Sequence, residues 1–170
     1  MRLFIAIRLS KEMLGALKGF QRKLKEMGVD GNYSLEENLH VTLAFIGEYS
    51  KPEDVLDAME EVSLKPFDIQ LSGVGCFRDL YWAGLKENRQ LEGYVRRLRR
   101  SLSHNGIPFD NKRFKAHITL IRKAYFRHGD KIPSLEVPEK EMRVDRICLM
   151  KSERGKHGMI YTEIGCIEAE

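Results

Sequence analysis

The sequence lacks any apolar run that could cross a bilayer. No stretch approaches the ~20 apolar residues that a transmembrane helix needs. The first eight residues, MRLFIAIR, are too short and too interrupted by charge for a secretory leader, and they are typical of a β-strand. We therefore expect a cytoplasmic protein without membrane contact.

Cysteine is scarce, with three residues in a chain of 170. Cys76, Cys148 and Cys166 are odd in number, far apart and set among apolar residues. This distribution favours buried free thiols and suggests neither a disulfide framework nor a zinc knuckle.

Two families of ligand-binding motif are also missing. No Gly-rich phosphate loop precedes a predicted helix, which argues against a ligase coupled to nucleotide hydrolysis. Neither His40 nor His117 has a carboxylate or a second histidine at the spacing of metal motifs such as HExxH or HxH. We therefore expect no metal and no cofactor.

What the chain does contain is an ordinary globular composition. Apolar residues make up 42%, enough for a substantial core, and a length of 170 fits one domain or two small lobes that share a core. The net charge of +4 leans weakly towards RNA or another phosphorylated ligand, but by itself it decides no function.

Hydrophobic periodicity predicts three helices among seven strands. The helices are predicted over 11–27, from the Ser50-Lys51-Pro52-Glu53 capping box onwards, and over about 87–104. The strands are predicted over 2–9, 38–47, 66–73, 81–85, 116–121, 142–150 and 159–167, the last two as a closing hairpin. This order predicts an α+β fold of largely antiparallel sheet with helices outside.

One pattern occurs twice. Asn38-Leu-His-Val-Thr-Leu43 resembles Lys115-Ala-His-Ile-Thr-Leu120, and each is His-apolar-Thr-apolar on a predicted strand downstream of a predicted helix. Two such matches are expected by chance in fewer than about one chain in a thousand of this length. The repetition indicates two related lobes.

The repeated pattern suits phosphate ester cleavage. Because side chains alternate along a strand, each histidine projects beside its threonine while the apolar residues anchor the strand in the core. Two such pairs facing a groove would offer one imidazole as base and one as acid near neutral pH. The threonine hydroxyls could donate to the non-bridging phosphate oxygens.

These segments also carry a family resemblance. The opening RLFIAI, the stretch ENLHVTLAFIGE over 37–48 and the run FKAHITLIR over 114–122 are similar to the bacterial and archaeal RNA 2′,3′-cyclic phosphodiesterases, long called 2′-5′ RNA ligases. That family belongs to the two-histidine phosphoesterase superfamily. The resemblance spans essentially the whole chain. It implies a single domain over 1–170 with two pseudo-symmetric lobes around a central groove.

The resemblance also implies a reaction and roles. RNA with a terminal 2′,3′-cyclic phosphate would be hydrolysed to a 2′-phosphate, with reversible 2′-5′ joining in some members. Separately, we expect a monomer without an obligate protein partner. His40 would donate a proton to the leaving oxygen and His117 would accept one from water. Phosphate would be bound by Thr42, Thr119 and Arg122.

Two positions depart from the expected pattern. Many relatives have an arginine where this chain has Ala44. Under strict alternation Arg122 faces away from His117, so it reaches the groove only if the strand bends near Ile121. Among the aromatic residues, Tyr161 is the one we expect to contact substrate.

Other functions compete with this interpretation. The same chemistry could serve a small cyclic nucleotide or an ADP-ribose derivative. A non-catalytic RNA-binding module would use the histidines as polar groove residues, and His40→Ala would then change no activity. A metal-dependent phosphodiesterase would lose its activity in EDTA and regain it with a divalent ion.

Overall fold

The computed structural model describes residues 1–170 and contains three α-helices and nine strands. The helices are α1 Lys11–Met27, α2 Pro52–Glu60 and α3 Arg89–His104, with one 3₁₀ turn at Glu36–Asn38. The strands are β1 Arg2–Arg8, β2 Val29–Tyr33, β3 His40–Glu48, β4 Phe67–Phe77, β5 Leu80–Leu85, β6 His117–Phe126, β7 Glu141–Val144, β8 Arg146–Gly155 and β9 Gly158–Glu168.

The strands form two sheets, each of which carries one copy of the repeated motif. The first sheet has the order β3-β1-β8-β9 and the second has the order β2-β6-β5-β4-β7. Every pair of neighbouring strands is antiparallel. The predicted α+β class is therefore confirmed, with His40 at the start of β3 and His117 at the start of β6.

Helix α1 forms where its sequence signals predict. The Ser10 hydroxyl accepts a hydrogen bond from the Met13 amide at 3.1 Å and caps the first turn. Gly28 ends the helix in the left-handed conformation, with a φ of 104° that favours glycine. The inward stripe is fully or nearly fully buried and consists of Met13, Leu17, Phe20, Gln21 and Leu24.

The predicted starts of the other two helices are wrong by one or two residues. Helix α2 is preceded by Lys51, and no side chain caps it. Ser50 lies one position too early to cap, because Pro52 takes the first helical turn and sets where the helix begins. Helix α3 begins at Arg89, because the Asn88 side chain accepts from the Leu91 amide at 3.0 Å.

Two strands differ from the sequence prediction. Strand β2 was not predicted, since its sequence VDGNY has little apolar alternation. It forms because the chain turns back after α1 and pairs with β6. The strand predicted over 142–150 is divided at Asp145, and its two parts join different sheets: β7 pairs with β4, and β8 pairs with β1.

The cysteine prediction is wrong. Cys148 and Cys166 form a disulfide, with their Cα atoms 4.1 Å apart on β8 and β9, and Cys76 is exposed. A regular hairpin around Gly155 and Gly158 would place Cys148 opposite residue 165. A one-residue register shift between Leu149 and Met150 instead brings Cys166 opposite Cys148.

One continuous apolar core lies beneath both sheets. It contains 36 buried residues from the two sheets and the helices, among them Ile5 of β1, Ile69 of β4 and Leu98 of α3. Because the two motif strands anchor in this shared core, their relative position is fixed by packing. None of the helices has the length and apolar character needed to cross a membrane.

Candidate active site

The two motif histidines are oriented by the same hydrogen bond. The Nδ1–H of His40 donates to the Asn38 carbonyl at 2.7 Å, and the Nδ1–H of His117 donates to the Lys115 carbonyl at 2.7 Å. In each case the acceptor lies two residues before the histidine. This bonding assigns the proton of the neutral ring to Nδ1, so Nε2 is the nitrogen available for chemistry.

A β-bulge in β6 turns Arg122 towards the groove. Thr119 and Ile121 pair with consecutive residues of β5, so Leu120 is an extra residue. Leu120 and Ile121 are consequently both buried, and Arg122 emerges exposed on the side of Thr119. The bend that Arg122 needs in order to reach the groove is therefore present.

Strand β3 has a bulge at the equivalent position. Thr42 and Ala44 pair with consecutive residues of β1, which leaves Leu43 as the extra residue. Leu43 and Ala44 are both buried, so Ala44 faces the core, and Phe45 takes the place that Arg122 has in β6. The repeat thus extends beyond the four-residue motif into the backbone that follows it.

Each bulge is held by a side chain from a helix. The Leu120 carbonyl accepts from Gln21 Nε2 of α1 at 3.0 Å and from the Ser34 amide at 2.9 Å. The Leu43 carbonyl accepts from Arg99 Nη2 of α3 at 3.3 Å. A bulge interrupts the strand ladder, so these donors satisfy carbonyls in buried surroundings. Neither Gln21 nor Arg99 was predicted to serve the site.

His40 is packed between aromatic rings. Phe4 and Tyr161 lie with their ring centroids 5.0 and 5.3 Å from the imidazole. His40 Nε2 is 2.8 Å from the Thr42 hydroxyl, which donates to the unprotonated nitrogen of the neutral ring. Tyr161 was predicted as a site residue. Phe4 was not, although it belongs to the opening segment of the resemblance.

Burial and neighbouring charges both act on the pKa of His40. Burial lowers the pKa of His40 below its ordinary 6.5, and the hydrogen bond to the Asn38 carbonyl opposes this shift. The positive charges of Arg122 and His117 lower the pKa of His40 further. His40 lies on β3, and the two groups that act on it lie on β6, a strand in contact with β3.

His117 has a more open environment. Its ring is half-buried, and the Trp82 ring lies edge-on with the centroids 5.9 Å apart. The exposed Lys115 ammonium is 4.5 Å from the centroid of the indole. Thr119 is half-buried on the same face of β6 as His117.

The enclosed space beside His40 is too small for a substrate. That cavity measures about 10 Å³, and it is lined by Phe4, Arg8, Asn38 and Tyr161 among others. Such a volume holds one water molecule at most. A ligand that contacts both histidines must therefore lie outside this cavity.

The arrangement can perform proton transfer at an anionic centre. Two Nε2 atoms provide a base and an acid, and the two threonine hydroxyls and the Arg122 guanidinium can stabilise negative oxygens. Five of the six predicted site residues come from the two bulged strands and Tyr161 from β9.

Comparisons with known proteins identify the family and the fold. A sequence profile of the 2′-5′ RNA ligase superfamily matches residues 16–156. An RNA 2′,3′-cyclic phosphodiesterase from Thermotoga maritima is 30% identical over 173 residues, covering 95% of this chain and 91% of the relative. One from Archaeoglobus fulgidus is 34% identical over 130 residues, 72% of each chain. The crystal structure of E. coli LigT complexed with 3′-AMP superposes with a TM-score of 0.85 at 26% identity, covering 99% of this chain and 97% of LigT.

Proposed function

This chain belongs to the 2′-5′ RNA ligase superfamily, and on that premise we propose that it hydrolyses RNA 2′,3′-cyclic phosphate ends to 2′-phosphates without a metal ion. The observation that carries the proposal is the pairing of the two motif histidines. Both rings are fixed through Nδ1, and His117 and Arg122 act electrostatically on His40. The relatives named above, which are RNA 2′,3′-cyclic phosphodiesterases, support the choice of substrate.

In the proposed reaction a water molecule attacks phosphorus while His117 Nε2 accepts its proton. The bond between phosphorus and the ribose O3′ breaks, and protonated His40 donates the Nε2 proton to O3′. The products are a 2′-phosphate and a free 3′-hydroxyl. One proton enters at His117 and one leaves from His40, so transfer of a proton between the rings through solvent restores the starting state.

The other groove residues hold the phosphate. The Thr42 and Thr119 hydroxyls donate to non-bridging oxygens, and the Arg122 guanidinium neutralises charge that develops in the transition state. In the free site the Thr42 hydroxyl contacts His40 Nε2 at 2.8 Å, so substrate binding exchanges this contact for one to phosphate. Tyr161, next to the His40 ring, contacts the sugar beside the leaving oxygen.

Substrate binding also prepares the acid. Burial keeps the pKa of His40 below 6.5 in the free site, which favours the neutral ring. A phosphodiester anion beside Nε2 favours the charged ring and raises that pKa. His40 therefore becomes protonated as the substrate binds. Attack by an RNA 5′-hydroxyl in place of water would give 2′-5′ joining through the same proton transfers.

The test is incubation of a short RNA ending in a 2′,3′-cyclic phosphate with the protein in excess EDTA. We expect complete conversion to the 2′-phosphate, identified by resistance of the new end to an enzyme that removes only 3′-phosphates. The matched controls are His40→Ala and His117→Ala. A 3′-phosphate product, or activity that EDTA abolishes and a divalent ion restores, would contradict the proposal.

A further inference from the structure

An aromatic residue continues the site along the second sheet. Trp82 of β5 pairs with Thr119 and shares its face, and its ring is the one that meets His117. Gly75 lies opposite Trp82 on β4, and a Cβ there would lie 2.1 Å from the indole Cζ2. The absence of a side chain at Gly75 thus lets the indole lie over β4 and widens the groove-side surface.

The face of the second sheet that carries Trp82 continues, away from His117, to the pair Phe77 and Leu80. Phe77 is two residues beyond Gly75 in a regular part of the ladder, so it projects on the same side, and it is 71% exposed. Its partner Leu80 shares this face with Trp82. We call Trp82 and Phe77, together with the apolar Leu80, the aromatic strip.

Positive charge accompanies the strip. The Lys115 ammonium lies above the Trp82 ring. On β6, Arg122 comes directly after Ile121, the residue that pairs with Tyr81 of β5. Single-stranded nucleic acid is bound by aromatic rings combined with cations, because bases stack on the rings while the cations meet the phosphates. Trp82 is half-buried and Phe77 is exposed. The strip also begins at His117, where the terminal phosphate would lie.

We propose that the aromatic strip binds the RNA chain that leads to the cyclic phosphate, with the terminal base on Trp82, where it displaces the Lys115 ammonium from the ring, and the preceding base on Phe77. This inference rests on the proposed function. Two residues of strand separate the rows of Trp82 and Phe77, roughly 6.8 Å. Stacked bases rise only ~3.4 Å per step. The strip therefore receives two bases that are splayed apart, and it favours RNA ends over mononucleotides.

The chain offers its own reporter for this test, because Trp82 is the only tryptophan. The titrants are uridine 2′-monophosphate and a uridine tetranucleotide ending in 2′-phosphate, with quenching of the Trp82 fluorescence as readout. We expect both to quench and the tetranucleotide to bind more tightly. Phe77→Ala should weaken tetranucleotide binding about 5- to 150-fold, the effect of one stacked base, and leave mononucleotide binding unchanged.

The matched control is Tyr125→Ala, which removes another exposed aromatic ring. Tyr125 lines a separate cleft with Cys76, and Cys76 alternates with Gly75 and Phe77 and so faces the other side of β4. Equal affinity for the two titrants, or equal effects of Phe77→Ala and Tyr125→Ala, would overturn the inference. The assay measures binding, so a failure of hydrolysis would count against the proposed function and leave the strip supported by these affinities.

Discussion

The two motif strands share a backbone but differ in the side chains that the backbone presents. Both bulge at the residue after the threonine, and both fix a histidine through the carbonyl two residues earlier. The position five residues after the histidine then faces the groove, and it is Phe45 in β3 and Arg122 in β6. Arg2 covers the Phe45 ring, with its guanidinium carbon 5.1 Å from the centroid.

The surroundings of the two imidazoles also differ, because His40 is more enclosed than His117. His40 is packed against Phe4 and Tyr161, whereas the ring of His117 meets only the edge of Trp82 beside the exposed Lys115. Repetition of the motif supplies two equivalent nitrogens, and the neighbours make them unequal. In the proposed reaction, the assignment of acid and base would therefore depend on residues outside the motif.

The largest effect tests whether the two histidines act as a pair. His40→Ala and His117→Ala should each lower kcat by about 10²- to 10⁴-fold, the usual contribution of general acid or base catalysis. The double variant should lose little more than either single one, because both rings act in one step. His157→Ala, in the exposed β8–β9 turn, is the control. Near-native rates in either motif variant would exclude the paired mechanism.

Arg122 provides the test that separates acid from base. Arg122→Met should lower kcat/KM by about 10²-fold, as for loss of one transition-state charge contact. It also removes a positive charge that lowers the pKa of His40, so that pKa rises. If His40 is the donor, the alkaline limb of the kcat/KM profile moves to higher pH.

The pH profile of kcat/KM in Arg122→Met can also contradict the assignment of His40 as the proton donor. Movement of the acidic limb in Arg122→Met would make His40 the base and contradict the proposed direction of proton transfer. Lys123→Met is the control, because it removes an exposed positive charge next to Arg122 that is not among the charges acting on His40. We expect this control to leave both limbs in place.

The motif strands and the fold class could be predicted from the sequence, because the observed strands and helices follow its hydrophobic periodicity. It was insufficient for the bulges. Strict alternation pointed Arg122 away from the groove, although two consecutive apolar residues follow each threonine, Leu43-Ala44 and Leu120-Ile121. That break in alternation is a local signal for an extra residue. The disulfide was missed for the same reason, because its register depends on a bulge in the β8–β9 hairpin.

Contacts between residues far apart in the sequence could not be predicted from any local pattern either. Phe4 reaches His40 from the neighbouring strand β1, and Arg99 reaches Leu43 from a helix 56 residues away. Gln21 did leave a trace, since it occupies a position in the apolar stripe of α1, four residues after Leu17. A polar residue in such a stripe needs a buried partner, but the sequence does not say which.

Breaking the Gln21 contact should affect only the second motif strand. Gln21→Met keeps the side-chain volume and removes the donor to the Leu120 carbonyl, so we expect Arg122 to lose its alignment and kcat/KM to fall about 10-fold. In an Arg122→Met background the same change should have little further effect, which a double-mutant cycle measures. Ser101→Ala removes the other buried polar side chain, which bonds the Ala58 carbonyl at 2.6 Å, and should lower Tm without changing kcat/KM. Additive losses in the cycle would refute the link to Arg122.

The smallest effect concerns stability. Because burial lowers the pKa of His40 in the folded chain, the unfolded chain binds more protons near pH 6, and the free energy of unfolding contributed by His40 is lost as pH falls below about 6.5. Urea denaturation between pH 8 and 5 should therefore show a loss of stability that His40→Gln reduces. A slope that His40→Gln leaves unchanged would mean that burial does not lower the pKa of His40, and the asymmetry between the two imidazoles would then have to come from the substrate.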